Sequence, residues 1–179
     1  MMYREIKLSS NYQEILSNNW EVAIKDYRNW GKAAEINEYV ANLLFRRNRR
    51  AYKKLLQDTC HLPKVYKDIN TARLVAMLYG LALEGYLKTA LIKSRKIKVL
   101  HSGKLNSQLT GHNLNKLFNQ VTDRQLANKE ETILKNLERA IKSGKYMFEK
   151  YYNLNPYLIS LDETSLKAKD LIKLVKNFI

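Results

Sequence analysis

The run from Leu74 to Leu83 reads LVAMLYGLAL and ends at Glu84. It constrains the fold more than any other stretch of the chain. The apolar pattern continues to Leu91. Leu74, Met77, Leu78, Leu81, Leu87, Ala90 and Leu91 form one band, which Val75, Ala82, Leu83 and Tyr86 widen. A helix apolar nearly all round is stable in water only when neighbours cover it on several sides. The run to Leu83 is about half of what a bilayer requires. The expectation is therefore the central helix of a soluble bundle, without membrane insertion, starting near Asp68 or Asn70 and ending near Ile97. Gly80 and Gly85 interrupt this segment at a propensity cost of up to about 1 kcal/mol each, a cost that close helix contact would offset.

The rest of the chain also reads as helix. Ile15, Trp20, Ala23, Ile24 and Tyr27 recur near a 3.6-residue period over residues 11–29, and Gly31 is expected to end that segment. A second helix is predicted over residues 32–57, with Ile36, Tyr39, Val40, Leu43, Leu44, Ala51, Tyr52, Leu55 and Leu56 as its apolar positions. Pro63 makes residues 58–68 a connection. Residues 102–111 are polar and carry Gly103 and Gly111, a loop pattern. A short helix is expected over residues 113–121. Thr122 or Asp123 is then expected to cap a longer one, with Ile133, Leu134, Leu137, Ile141, Tyr146 and Phe148 inward. Asn155-Pro156 reads as a turn, and Asp162 as the cap of a last helix over residues 162–178. That helix turns Leu166, Leu171, Leu174, Val175 and Phe178 toward a partner.

With 179 residues, 45% hydrophobic and 27% charged, the chain is long and apolar enough for one packed domain over residues 1–179. Only 6 glycines and 2 prolines occur, which disfavours a turn-rich β fold. The single cysteine, Cys60, excludes an intrachain disulfide and a multi-cysteine metal site, and is compatible with a cytoplasmic setting. Residues 1–10 carry Arg4, Glu5 and Lys7 and do not read as a cleavable signal. The 32 Lys and Arg residues against 17 Asp and Glu give a net charge of +15, a bias toward polyanions such as RNA or toward an acidic protein. Neither a phosphate-cradling glycine loop nor an H-E-x-x-H motif is present, so no cofactor and no metal are expected.

Two basic runs stand out. On a helix, Arg46, Arg47, Arg49, Arg50, Lys53 and Lys54 cover about 160° of one side, a coherent stripe. Lys93, Arg95, Lys96, Lys98 and Lys104 form the second, with no acidic residue between Gly85 and Gly111. Either run can be a solvated face, a binder of phosphate backbone, or a seat for an acidic protein.

The order of three short motifs resembles the HEPN superfamily. They are ALEGYLKTALI (Ala82 to Ile92), GHNLNKLF (Gly111 to Phe118) and IKSGKYMF (Ile141 to Phe148). Glu84, Leu87 and Lys88 match the first element of that pattern; Gly111, His112, Asn113 and Leu114 match the second; Lys145 and Tyr146 match the third. The resemblance covers about residues 10–150. It implies an all-α antiparallel bundle of four to five helices, with an extra C-terminal helix in this chain. It further implies a homodimer and a function on or beside RNA, as in toxin–antitoxin and phage-defence systems. Many members are endoribonucleases with an Arg-x4–6-His string on a late helix. This chain departs from them, since the helix over residues 130–152 has Arg139 but no histidine.

Among the 3 histidines, His112 could shuttle a proton in RNA cleavage or simply cap and pack at a helix entry. Arg95 and His101 form an Arg-x5-His string, whose side chains converge only if a helix ends between them. Adjacent Cys60 and His61 lack any supporting third group. Glu84 lies inside an apolar helix and so needs a partner. Lys88 is the local candidate, with His112, Lys145 and Tyr146 as further members of a structural polar network. Tyr146, Tyr151, Tyr152 and Tyr157 could stack bases or pack.

Overall fold

The computed structural model describes residues 22–57, 72–101, 104–144 and 157–179. Asp26 sets the first junction. Its carboxylate accepts from the Arg28 amide at 2.9 Å and starts helix α1, Tyr27–Gln57. The preceding turn of helix, 22–25, is closed from outside: the Asn29 side chain donates to the Ala23 carbonyl at 2.9 Å, and Trp30 Nε1 donates to that of Ile24 at 2.8 Å. The break therefore falls at Asp26. Gly31 does not interrupt anything; it is a helical residue of α1 facing Thr89.

Helix α2, Ala72–Lys93, is the centre of the molecule. Val75, Ala76, Tyr79, Ala82, Leu83, Tyr86, Leu87, Ala90 and Leu91 are all buried, so this helix is covered on most of its circumference. Its Leu74–Lys93 stretch is long and apolar enough to cross a membrane, more than the Leu74–Leu83 run suggested, but 72% of it is buried inside the protein. The two interior glycines mark close approaches. A Cβ at Gly85 would meet the Ala34 Cβ at 2.8 Å, and one at Gly80 would meet Ile141 at 3.0 Å.

Contacts of Ala34 with Gly85, and of Phe45 with Tyr79, make α1 and α2 antiparallel. The central helix ends at Lys93, short of Ile97. Arg95 adopts a left-handed φ of 57°, and the Ile97 amide turns back to the Leu91 carbonyl at 3.3 Å, burying Ile97. The connection that follows is more ordered than a polar loop. It holds a two-residue antiparallel pair, β1 (Leu100–His101) and β2 (Lys104–Leu105), then the single turn α3 (Ser107–Thr110).

Asn113 caps α4 (Leu114–Thr122) by accepting from the Lys116 amide at 2.9 Å. Glu138, from the next helix, accepts the Leu114 amide at 2.7 Å and closes the same end. Asp123 ends α4 with a left-handed φ of 50°, so it is a C-terminal stop rather than the start of α5, Asn128–Gly144. Ile133, Leu134, Leu137 and Ile141 point into the core as expected. The last helix, α6, spans Tyr157–Lys176 and so begins before Asp162. It buries Ala168, Leu171, Ile172 and Val175, while Leu166 and Phe178, expected inward, are exposed. The chain is an all-α, multi-helix bundle with antiparallel packing.

Candidate functional site

Two places carry the residues singled out from the sequence. The first is a polar cluster in the apolar centre. Glu84 and Lys88 lie one turn apart on α2, and both are nearly fully buried. Their side chains form an ion pair through Glu84 Oε1. The other carboxylate oxygen, Oε2, meets His112 Nδ1 at 2.8 Å. Lys88 Nζ also donates to the Leu109 carbonyl at 2.6 Å and stands 5.6 Å from the centroid of the Trp30 ring. Each charge therefore has a compensating partner, the condition under which buried ions are tolerated.

This arrangement pins the connection to the central helix. Leu109 belongs to α3, which Asn106 caps by accepting the Gln108 amide at 3.0 Å. Asn106 is itself held by the Lys98 carbonyl at 3.0 Å. Nδ1 faces the Glu84 carboxylate, and in the neutral ring with Nδ1–H donated there, Nε2 is the lone-pair acceptor. The side chain is 34% exposed, so solvent reaches the ring. A carboxylate-oriented, partly open imidazole can accept and return a proton. Lys145 and Tyr146, expected in the same network, lie outside the described residues, as do Cys60 and His61.

The second place is the outer side of α1. Arg46, Arg47, Arg49 and Arg50 are exposed, and Asn48 between them is buried, which gives the stripe its helical phase. Arg49 lies 5.9 Å from the centroid of the Phe45 ring, at the edge where the stripe meets the core. From Tyr39 to Gln57 this helix contains no acidic residue. Lys53 and Lys54 continue its backbone, but their side chains lie outside the described residues, as do Tyr146, Tyr151 and Tyr152. His112 meets Glu84, whose neighbour Gly85 lies against Ala34, and Ala34 and Arg46 are separated by about 18 Å of helix rise, so the arginines sit away from His112.

The remaining candidates are divided. Lys93, Arg95 and Lys98 are exposed around the end of α2. Lys96 is engaged within the fold, donating to the Gln120 carbonyl at 2.8 Å and pairing with Asp123 at 2.9 Å. The helix ends before Arg95, so the Arg95–His101 string is not helical at all. His101 has its backbone in β1, and its side chain lies outside the described residues. Arg139 is exposed on α5 beside Glu138. Glu138, which spans from α5 to the start of the His112 segment, was not legible as a contact. Its signal was only an acidic residue in a helix of suitable length, and long-range pairing has no local signature. Among the described residues, no cluster of three or more His, Cys, Asp or Glu is placed to hold a metal. No protein-family model matches the chain, and searches of curated proteins and of solved structures find no match either.

Proposed function

We propose that this chain is a nucleic-acid-associated helical module of the HEPN type, acting on or beside RNA in the cytoplasm as a homodimer of a toxin or defence system. The observation that carries the nucleic-acid reading is the exposed run Arg46, Arg47, Arg49 and Arg50, in a helix with no acidic residue beyond Glu38. Guanidinium groups spaced along one helix side suit a phosphate backbone, and they bind it without sequence preference through counterion release. The exposed cations Lys93, Arg95 and Lys98 add a second anchoring region. The HEPN reading draws support from the meeting of the first two of its three motif segments, since Glu84 and Lys88 of the first touch His112 and the Leu109 carbonyl beside the second. The test is fluorescence anisotropy with labelled RNAs of unrelated sequence over a salt series. The expected result is binding that falls steeply with salt and weakens across all sequences in an Arg46→Glu, Arg50→Glu variant. Affinity unchanged by that double substitution overturns the assignment to α1.

The hydrogen bond from His112 to buried Glu84 favours a second reading, a metal-independent endoribonuclease. Cleavage of this kind needs a proton acceptor for the ribose hydroxyl, a proton donor for the leaving oxygen and a cation at the phosphate. His112 offers the first, and Arg95, His101 or Arg139 would have to supply the others. The separation of His112 from the α1 arginines and the missing late-helix histidine favour the non-catalytic form. Incubation with mixed-sequence RNA in EDTA is expected to give no strong cleavage. Robust cleavage by the parent, lost in a folded His101→Ala, His112→Ala variant, would replace the binding module with the ribonuclease.

A further inference from the structure

Helix α1 has a second face that the core does not use. Ile36 and Tyr39 are each 65% exposed, and Leu43 is 46% exposed. From sequence all three belong to the apolar positions of this helix, yet they point away from α2. They fall in a 4-3-4-3-4 spacing, Lys32, Ile36, Tyr39, Leu43, Arg46 and Arg50, and all six are exposed. That spacing is the seam of a heptad helix, with an apolar centre and cationic ends. Three large apolar side chains in consecutive seam positions of an exposed helix mark a contact surface rather than scattered surface residues.

The charges decide what fits. In a parallel pairing of two copies, Lys32, Arg46 and Arg50 would each face themselves. In an antiparallel pairing centred on Tyr39, Lys32 of one copy would face the Arg46–Arg47 end of the other. Both registers put cation against cation at the ends of the apolar contact, which opposes association. Opposite charges at the same positions reverse the sign. We propose that this face of α1 docks an amphipathic helix of a different protein, apolar at its central seam positions and carrying Glu or Asp at the outer ones. The recognition is helix against helix: apolar side chains supply contact area, and the outer carboxylates set partner choice. This inference shares Arg46 and Arg50 with the nucleic-acid reading but rests on Ile36, Tyr39 and Leu43, which are not part of the arginine run.

The probe is a labelled synthetic helix of about three heptads, with Leu at the central seam positions and Glu at the outer ones. A control peptide replaces those Glu residues by Lys. Anisotropy with the full chain is expected to show saturable binding of the Glu peptide, with the Lys peptide at least about tenfold weaker. A Leu43→Asp variant, which leaves all the arginines in place, is expected to lose at least about tenfold in affinity for the Glu peptide while keeping its circular dichroism spectrum and its RNA binding. Failure of the Glu peptide to bind, equal binding of both peptides, or indifference to Leu43→Asp overturns the proposal. A parent dimer that Leu43→Asp dissociates assigns the face to a second copy and also overturns it. Loss of RNA or anionic-vesicle binding in Leu43→Asp without peptide binding assigns the face to those surfaces instead. Arg46→Glu, Arg50→Glu is expected to weaken the Glu peptide as well as RNA, so the two readings are separated by Leu43→Asp, which changes none of the cations.

Discussion

Glu84 concentrates the physics of this protein at one residue. A carboxylate in the most apolar helix is tolerated because Lys88 and His112 take one oxygen each, while Lys88 is further satisfied by the Leu109 carbonyl. Removing one member leaves a buried charge uncompensated, at a cost of about 3–5 kcal/mol. Lys88→Met is therefore expected to lower the unfolding free energy by that amount. Glu84→Leu combined with Lys88→Met is expected to cost less than Lys88→Met alone, since no unpaired charge remains. Urea unfolding of the single and double variants checks this, and a double variant worse than the single would sink the pairing account. The need for a partner was legible in the sequence, and so were Lys88 and His112 as candidates. The Leu109 carbonyl was not legible, because nothing local to α3 announces that an ammonium will reach it from α2.

At the scale of elements, the glycines of α2 show how helix spacing is set. Gly85 lies where α1 crosses, and a Cβ there would meet the Ala34 Cβ at 2.8 Å. Gly85→Ala gains up to about 1 kcal/mol of helix propensity. It also overpacks the α1–α2 contact, which costs about 1–3 kcal/mol because the opposing atom is a short, rigid side chain on another helix. The expected outcome is net destabilisation, seen as a lower melting temperature. A variant more stable than the parent would mean that α1 shifts outward freely. Helix ends were less legible than helices. Asp123 has the side chain of an N-terminal cap but serves as a C-terminal stop, since its φ is 50° and its amide bonds to the Asn119 carbonyl at 3.1 Å. Asp and Asn suit both roles, and only the backbone conformation separates them.

On the scale of the whole molecule, α1, α2 and α6 meet at Glu38. Its carboxylate accepts the Tyr86 hydroxyl at 2.7 Å and pairs with Lys176 at 2.6 Å. Lys176 also stands 4.8 Å from the Tyr86 ring centroid, and Lys169 of α6 lies 4.4 Å from the Phe45 ring centroid. Burial, aided by the hydrogen bond to Glu38, pushes the Tyr86 hydroxyl well above its ordinary value of 10.0. Burial likewise raises Tyr79, whose hydroxyl donates to Asn42 at 2.9 Å. In each case the folded state holds its proton when the unfolded chain has lost it. Between the unfolded and folded values the native state binds more protons, so the contribution of these two groups is fully present below about pH 10 and is lost as pH rises beyond it. Chemical denaturation is expected to show that decline, shallower in Tyr86→Phe than in the parent. Equal slopes in the two proteins would remove Tyr86 from the account.

Composition and periodicity by themselves determined that this chain is helical, that the apolar helix of residues 74–91 forms its centre, and that the cations of residues 46–50 share one side of a helix. These properties follow from near-neighbour spacing along a chain with a fixed period, so they are written locally. Within that central helix the structure leaves Leu74 exposed and Met77, Leu78 and Leu81 only partly buried. The tertiary structure alone decided which apolar residues of α1 and α6 go inside. Ile36, Tyr39, Leu43, Leu166 and Phe178 are exposed, while Ala34, Ala41, Ala168 and Ile172 are buried. The reason is the closeness of the helices. Where α1 crosses Gly85, only a small side chain such as Ala34 fits, so its larger neighbours Ile36 and Tyr39 lie on the opposite face.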